Sequence, residues 1–319
     1  MKITNNKGLP LSYAMWAAID TYDYKSDPRY ISATSLNKSI KSLILSKQVT
    51  QPIVDVASLM DSRLGTTVHD ELERVWRNDY KTALTNLGMS ENMIDKIAIN
   101  PKKETSNMLP VYLEQRVIKE LNGWKIGGKY DLIFDGKLID YKITKSWAWI
   151  FNKGNSDYIM QGNIYKWLNP DKITEPTAEI HYLFKDWTAS KIKEGTDYPD
   201  SPAKSYEYPL LHPDYTEELL AQKLKLLEFH LGSSQDNLPD CTKEELKQKD
   251  SVFAYYKNPE GKRSTANFDT YMEAANRKAA DGNKGRIEER KGKAIACSWC
   301  NARSICKQSM DLEYQGLLD

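Results

Sequence analysis

The sequence predicts an α/β fold in which a mixed sheet is flanked by helices, with a helical region before it and a cysteine-bound region after it. Three observations predict this. Up to about residue 80, apolar residues recur at helical spacing. From about residue 110 the pattern changes to short alternating or apolar runs, broken by Asn122-Gly123 and Asp135-Gly136, the dipeptides of tight hairpins. Beyond residue 150, helical and strand periods alternate.

In chain order, helices are expected over Leu11 to Tyr24, Lys38 to Gln48 and Val54 to Tyr80. In the third of these, Val68, Leu72, Val75 and Trp76 mark one buried face with His69 beside it. Residues 81 to 108 are polar and carry no evident chemistry. Three antiparallel strands follow, Val111 to Val117, Trp124 to Phe134 and Lys137 to Ile143, joined at the two hairpin dipeptides. Tyr158 to Leu168 is helical and stops before Pro170, and Ala178 to Trp187 alternates as a further strand. The stretch Asp197 to Pro213, with Pro199, Pro202, Pro209 and Pro213, reads as an extended connection into a helix from Thr216 to Leu231. The last part holds a strand at Val252 to Tyr256 and a helix at Thr270 to Lys278.

With 319 residues, 40% hydrophobic and 28% charged, the chain can bury a sizeable core and is not disordered in composition. No apolar run approaches the roughly 18 to 20 residues needed to cross a membrane. The opening MKITNNKGLPLSY lacks the apolar core of a signal peptide, so a cytoplasmic protein without membrane partners is expected. A net charge of +1 selects no partner. Residues 257 to 293 are locally basic but diluted by acids, as suits either a solvated helical face or a phosphate-binding surface.

Chemistry concentrates at Asp131 and at Asp140-Tyr141-Lys142. If the strands around Asp135-Gly136 pair as a hairpin, Asp131 and Asp140 lie near each other across the ladder. Asp140 and Lys142, two apart on a strand, then share a face. Two carboxylates and an ammonium on one face suit metal-assisted phosphodiester hydrolysis. The carboxylates would hold Mg²⁺ or Mn²⁺, and the lysine would orient water or offset developing charge. In Lys137-Leu-Ile-Asp140-Tyr-Lys142-Ile these charges sit inside an otherwise apolar strand, where each costs several kcal/mol unless partnered.

Gly127-Gly-Lys-Tyr-Asp131-Leu-Ile followed by Leu138-Ile-Asp140-Tyr-Lys142-Ile-Thr144 resembles the core of RecB-type nucleases of the PD-(D/E)XK superfamily. Gly65-Thr-Thr-Val-His69 resembles the helix whose histidine is an extra metal ligand in that group. Glu114 resembles its acidic residue on the strand before the core, and Gln161-Gly-Asn-Ile-Tyr165 its Q-x-x-x-Y motif. The resemblance spans about residues 65 to 168. It implies a restriction-endonuclease-like fold and a deoxyribonuclease. Its metal set would be His69, Asp131, Asp140 and the Tyr141 carbonyl, with Lys142 acting on water and Glu114, Gln161 and Tyr165 completing the catalytic site. Residues 1–108 would bring in His69, 109–235 would form the core, and 236–319 would close on it as part of one integrated domain.

Three of the four cysteines, Cys297, Cys300 and Cys306, fall within ten residues, with Cys241 upstream, and in a cytosolic protein such clustering favours metal over disulfides. The spacing resembles the C-terminal half of the iron–sulfur site of AddB-type and CRISPR-adaptation nucleases, where four thiolates hold a [4Fe-4S] cluster. In those families the first cysteine precedes the core, whereas Cys241 follows it. Four thiolates also suit zinc, and buried free thiols are the third reading. Tyr255-Tyr-Lys-Asn, Lys262-Arg263, Phe268-Asp-Thr270 and His181 to Trp187 resemble single-domain phage exonucleases. That likeness implies an exonuclease acting on DNA ends, partnered by a strand-annealing recombinase. The rival readings are an inactive nucleic-acid-binding protein, which a damaged motif would mark, and a zinc-binding interaction module that cuts nothing.

Overall fold

The computed structural model describes residues 2–20, 23, 25–50, 53–193 and 196–318. The chain forms two compact units, one of Met1–Asn37 with Ile53–Leu226, the other of Lys38–Pro52 with Leu227–Asp319.

In the first unit β1 (Lys2–Thr4) pairs in parallel with β3 (Ile53–Asp55), and α1 (Leu11–Ala18) packs on α3 (Val56–Arg74). The Asp55 carboxylate accepts from the Ala57 amide and so caps the start of α3. The helix runs through a π turn at Val75–Asp79 into α4 (Tyr80–Asn86), and α5 (Glu91–Ile94) follows. Trp76 and Tyr80 from this stretch pack with β4 (Ile97–Ile99), β5 (Leu109–Leu113) and Phe134.

Both hairpins form where the dipeptides place them. Asn122 and Gly123 have φ of 50° and 74°, Asp135 and Gly136 of 47° and 84°, the left-handed pair that a two-residue turn requires. The strands around them do not make one sheet, however. Val111 to Val117 breaks at Glu114, whose φ of 51° ends β5 and redirects the chain into β6 (Arg116–Leu121). Trp124 to Phe134 likewise breaks at Tyr130-Asp131, giving β7 (Trp124–Lys129) and β8 (Leu132–Phe134). A three-stranded sheet runs β2 (Tyr30–Ser32), β7, β6, with β2 parallel and β6 antiparallel to β7. Strands β5 and β8 join a larger sheet instead.

That larger sheet carries the site. Its six strands run β11 (Ala203–Pro209), β10 (Thr177–Phe184), β9 (Lys137–Thr144), β8, β5, β4. Parallel pairing of β9 with β10 needs a crossover, supplied by α6 (Ser146–Asn152) and α7 (Ser156–Leu168), and the other pairings mix both senses. Helix α7 packs on β6, β7 and β9, and α3 packs on β9. Strand β11 lies where the sequence predicts an extended connection. Its prolines stand before the strand and at its last residue, and an edge strand tolerates a missing donor there. Helix α8 spans Pro213–His230.

In the second unit α2 (Ile40–Ser46) belongs with the C-terminal part of the chain. Strands β12 (Val252–Tyr256), β13 (Ala266–Phe268) and β14 (Arg286–Arg290) form an antiparallel sheet in the order β13-β12-β14. Helix α9 (Tyr271–Ala280) begins with a capping box between Thr270 and Glu273, and α10 (Lys307–Tyr314) ends the unit. Among the described residues no helix is long and apolar enough to cross a membrane.

Candidate active site

Register sets the site. Leu132 pairs with Ile139 across the β8–β9 ladder, so Asp131, one residue before, lies beside Asp140. The Asp131 carboxylate accepts from the Tyr141 amide at 2.7 Å and lies 3.2 Å from His69 Nδ1, which α3 presents to the sheet. The His69 ring meets the Tyr141 ring edge-on at 5.7 Å. The ligand atoms of His69, Glu114 and Asp131 all lie within 4.8 Å of one another, so the backbone turn at Glu114 brings its carboxylate to the same point.

Asp140 and Lys142 share the face that alternation predicts, with the ammonium 2.5 Å from the Asp140 carboxylate. Asp140 is only 5% exposed, and its Oδ2 forms the ion pair without a well-aligned hydrogen bond. Gln161 on α7 donates to Asp140 Oδ1 at 3.4 Å and to Tyr165 Oη at 2.7 Å, and Tyr165 donates to the Lys129 carbonyl at 2.9 Å. Gly128 makes room for this ring, since a Cβ there would fall 2.6 Å from Tyr165 Cε1. The Q-x-x-x-Y pair thus ties α7 to the strand of Asp140 and to the strand before Asp131.

Burial and charge pull against each other across the cluster. Burial raises the Asp140 carboxyl above its ordinary value, and the Asp131 charge adds to it against the pull of Lys142. Burial also works to raise Asp131, but the His69 hydrogen bond and charge, Lys142 and the Tyr141 amide outweigh it and hold Asp131 low. Burial would lower His69 and Lys142, yet the Asp131 hydrogen bond raises the imidazole, and Asp140 with Asp131 raises the ammonium. Glu114 is raised, first by burial, against its ion pair with Lys129.

These residues suit a divalent cation. A nitrogen and carboxylate oxygens converge beside the buried Asp140 carboxylate. All the first-unit residues singled out from sequence come together here, with Glu114 in the close group with His69 and Asp131. Two further residues were not among the candidates read from the sequence. Lys129 pairs with Glu114, and Tyr158 places its ring 4.9 Å from the Lys142 ammonium. Tyr158 lies three residues before Gln161 on α7, so helical spacing from the Q-x-x-x-Y motif would have pointed to it.

In the second unit Cys241, Cys297, Cys300 and Cys306 line one small cavity with Lys41 and Ser42, and all four are free thiols. Ser39 Oγ lies 3.1 Å from Cys241 Sγ and Ser42 Oγ 3.4 Å from Cys300 Sγ. Burial, then the neighbouring sulfurs, pushes the Cys297 thiol up to about 11.

The family model of the PD-(D/E)XK nuclease superfamily matches residues 54–307. No curated protein matches the chain. Among solved structures, one titled "Crystal structure of SSO0001" aligns at 16% identity over 64% of this chain and 79% of that one. The TM-score of that alignment is 0.39.

Proposed function

This chain belongs to the PD-(D/E)XK nuclease superfamily, and from that premise we propose that it is a divalent-metal-dependent deoxyribonuclease acting on DNA ends. The observation that carries the reading is the convergence of His69, Glu114 and Asp131 beside the buried Asp140–Lys142 pair. His69, Glu114, Asp131 and Asp140, with the Tyr141 carbonyl, would hold Mg²⁺ or Mn²⁺. A bound divalent ion supplies Lewis acidity towards the scissile phosphate and towards water.

The chain's own residues supply positioning and charge. The Tyr141 amide and His69 fix the Asp131 carboxylate from two sides, leaving it little rotamer freedom. Lys142, held above its ordinary value, stays protonated at neutral pH. It therefore serves as a donor that orients water and offsets charge gathering on the phosphate, not as a base. Gln161, braced by Tyr165, holds the Asp140 carboxylate towards that ammonium. Glu114 reaches the cluster at the expense of a left-handed backbone, and Lys129 keeps its side chain in place.

The four cysteines line one cavity, and we infer that they hold a [4Fe-4S] cluster. Visible absorption and bound iron in anaerobically purified protein test this. Stoichiometric zinc without colour would replace the cluster with a tetrahedral zinc site. The partner that belongs to an end-acting nuclease in this reading is a strand-annealing recombinase, and the compartment is the cytoplasm.

The test is cleavage of end-labelled linear DNA, covalently closed DNA and RNA with Mn²⁺, Mg²⁺ or chelator, comparing the protein with Lys142→Ala and Asp140→Ala. Metal-dependent loss of linear DNA alone, abolished by both substitutions, is expected. Cutting of the closed circle would make it an endonuclease, and cleavage that survives both substitutions would remove the catalytic assignment.

A further inference from the structure

The two breaks that divide the strands between sheets also carry two of the proposed metal ligands, Glu114 and Asp131. Their backbones meet, since the Glu114 amide donates to the Asp131 carbonyl at 3.2 Å. One hydrogen bond fixes a distance but not an orientation. Glu114 moreover holds a φ of 51°, a conformation that a glutamate keeps only where its surroundings over-determine it.

The side chain of the next residue supplies those surroundings. Gln115 Oε1 accepts from the Tyr130 hydroxyl at 2.9 Å and from the Lys172 ammonium at 2.5 Å. Its Nε2 donates to Asn100 Oδ1 at 2.8 Å. The same Asn100 oxygen accepts from the Leu113 amide at 3.0 Å, so Asn100 ties together the residues on either side of Glu114. Asn100 is held in turn by its own amide, which donates to the Val111 carbonyl at 2.7 Å. The directions of these bonds agree with one another. An ammonium and a backbone amide can only donate, so Lys172 draws the Gln115 oxygen towards itself and the Leu113 amide draws the Asn100 oxygen. The Gln115 nitrogen then faces the Asn100 oxygen with the right polarity. At the other end of the network Tyr130 is fully buried and immediately precedes Asp131. Lys172 lies 4.4 Å above the Tyr112 ring, on the strand that ends at Glu114.

We propose that Gln115 is the positioning residue of the metal site: its carboxamide locks the break at Glu114 to the break at Tyr130-Asp131 and so sets the spacing of the two carboxylates for a small divalent ion. The inference rests on the metal reading above, and Gln115, Tyr130 and Asn100 act through the ligands. Burial of the Tyr130 hydroxyl calls for one acceptor. Three bonds to a single carboxamide, bracketing both ligands, exceed that need. Rigid placement matters most to a small ion, because Mg²⁺ demands near-octahedral geometry whereas Ca²⁺ takes irregular shells. The clamp therefore bears on selectivity as well as affinity.

The test is binding of Mn²⁺, which takes octahedral sites as Mg²⁺ does, read by electron paramagnetic resonance on the full chain without DNA. Ca²⁺ is read by its displacement of Mn²⁺. Gln115→Met and Tyr130→Phe are each expected to weaken Mn²⁺ binding about tenfold and Ca²⁺ binding less than about threefold. Tyr130→Phe keeps the buried ring and decides the matter if Gln115→Met fails to fold. Unchanged Mn²⁺ affinity in the variants, or equal loss of both ions, would overturn the clamp, the second result leaving Gln115 a purely structural part. If the wild type binds Mn²⁺, Asp131→Asn abolishes it and the clamp variants bind normally, the metal site stands and the clamp alone falls. A wild-type chain that binds no Mn²⁺ removes the metal reading, and the clamp with it.

Discussion

Asp140 and Lys142 form an ion pair of 2.5 Å in which the carboxylate residue is only 5% exposed. For such a pair, removing one partner costs more than removing both, because the survivor is left as an uncompensated buried charge. Lys142→Met should therefore destabilise the metal-free protein by about 3 to 5 kcal/mol. The double variant Asp140→Leu/Lys142→Met should recover most of that while remaining inactive. Denaturant unfolding of both, in chelator, checks this, and a double variant as unstable as the single one would show that the pair is not the dominant interaction. Stability alone does not call for this arrangement.

Two devices at the scale of single elements hold the site together. Gly128 lets the Tyr165 ring approach β7 closely, so Gly128→Ala forces the ring away, with an expected cost of about 1 to 3 kcal/mol. The same change loosens Gln161 from its Tyr165 brace, so a lower melting midpoint should accompany lower activity, and unchanged values of both would sink the argument. The cap of α6 responds to pH. Burial works to raise Asp186, but the two bonds from Ser146 and the nearby Lys191 charge hold it below its ordinary value. A depressed carboxyl contributes stability that is fully present above the unfolded value, about 3.9, and lost as pH falls through the lower folded value. Asp186→Asn keeps an acceptor but removes the charge. Its melting midpoint should lie below that of the wild type near neutrality and converge with it in acid. A constant gap at all pH values would assign the effect to packing.

At the scale of the whole molecule, two compact units predict that unfolding departs from a single two-state transition. Because His69, Glu114, Asp131 and Asp140 all belong to the first unit, Mn²⁺ should raise only its transition, by mass action. Asp131→Asn should remove that shift, as calorimetry with and without the ion would reveal. The four cysteines belong to the second unit, so loading or oxidation of that site should move the other transition. A manganese shift that persists in Asp131→Asn would place the ion elsewhere.

The amino-acid sequence by itself determined the local elements whose signals are local. The Asn122-Gly123 and Asp135-Gly136 turns need a left-handed backbone that few residues adopt, and the helix of Gln161 and Tyr165 follows from its spacing. It also determined which charges had to be special, since Asp140 and Lys142 interrupt an apolar strand and required partners. Tertiary structure alone decided how the strands divide between sheets. The breaks at Glu114 and at Tyr130-Asp131 arise from pairing with distant strands, β2 and β4 among them, and no local propensity encodes a partner that far away. It likewise decided that Glu114 joins His69 and Asp131, that Lys129 and Tyr158 attend them, and that α2 sits with the cysteines. Convergence of side chains from separate elements depends on packing, and packing is a property of the folded chain, not of any window within it.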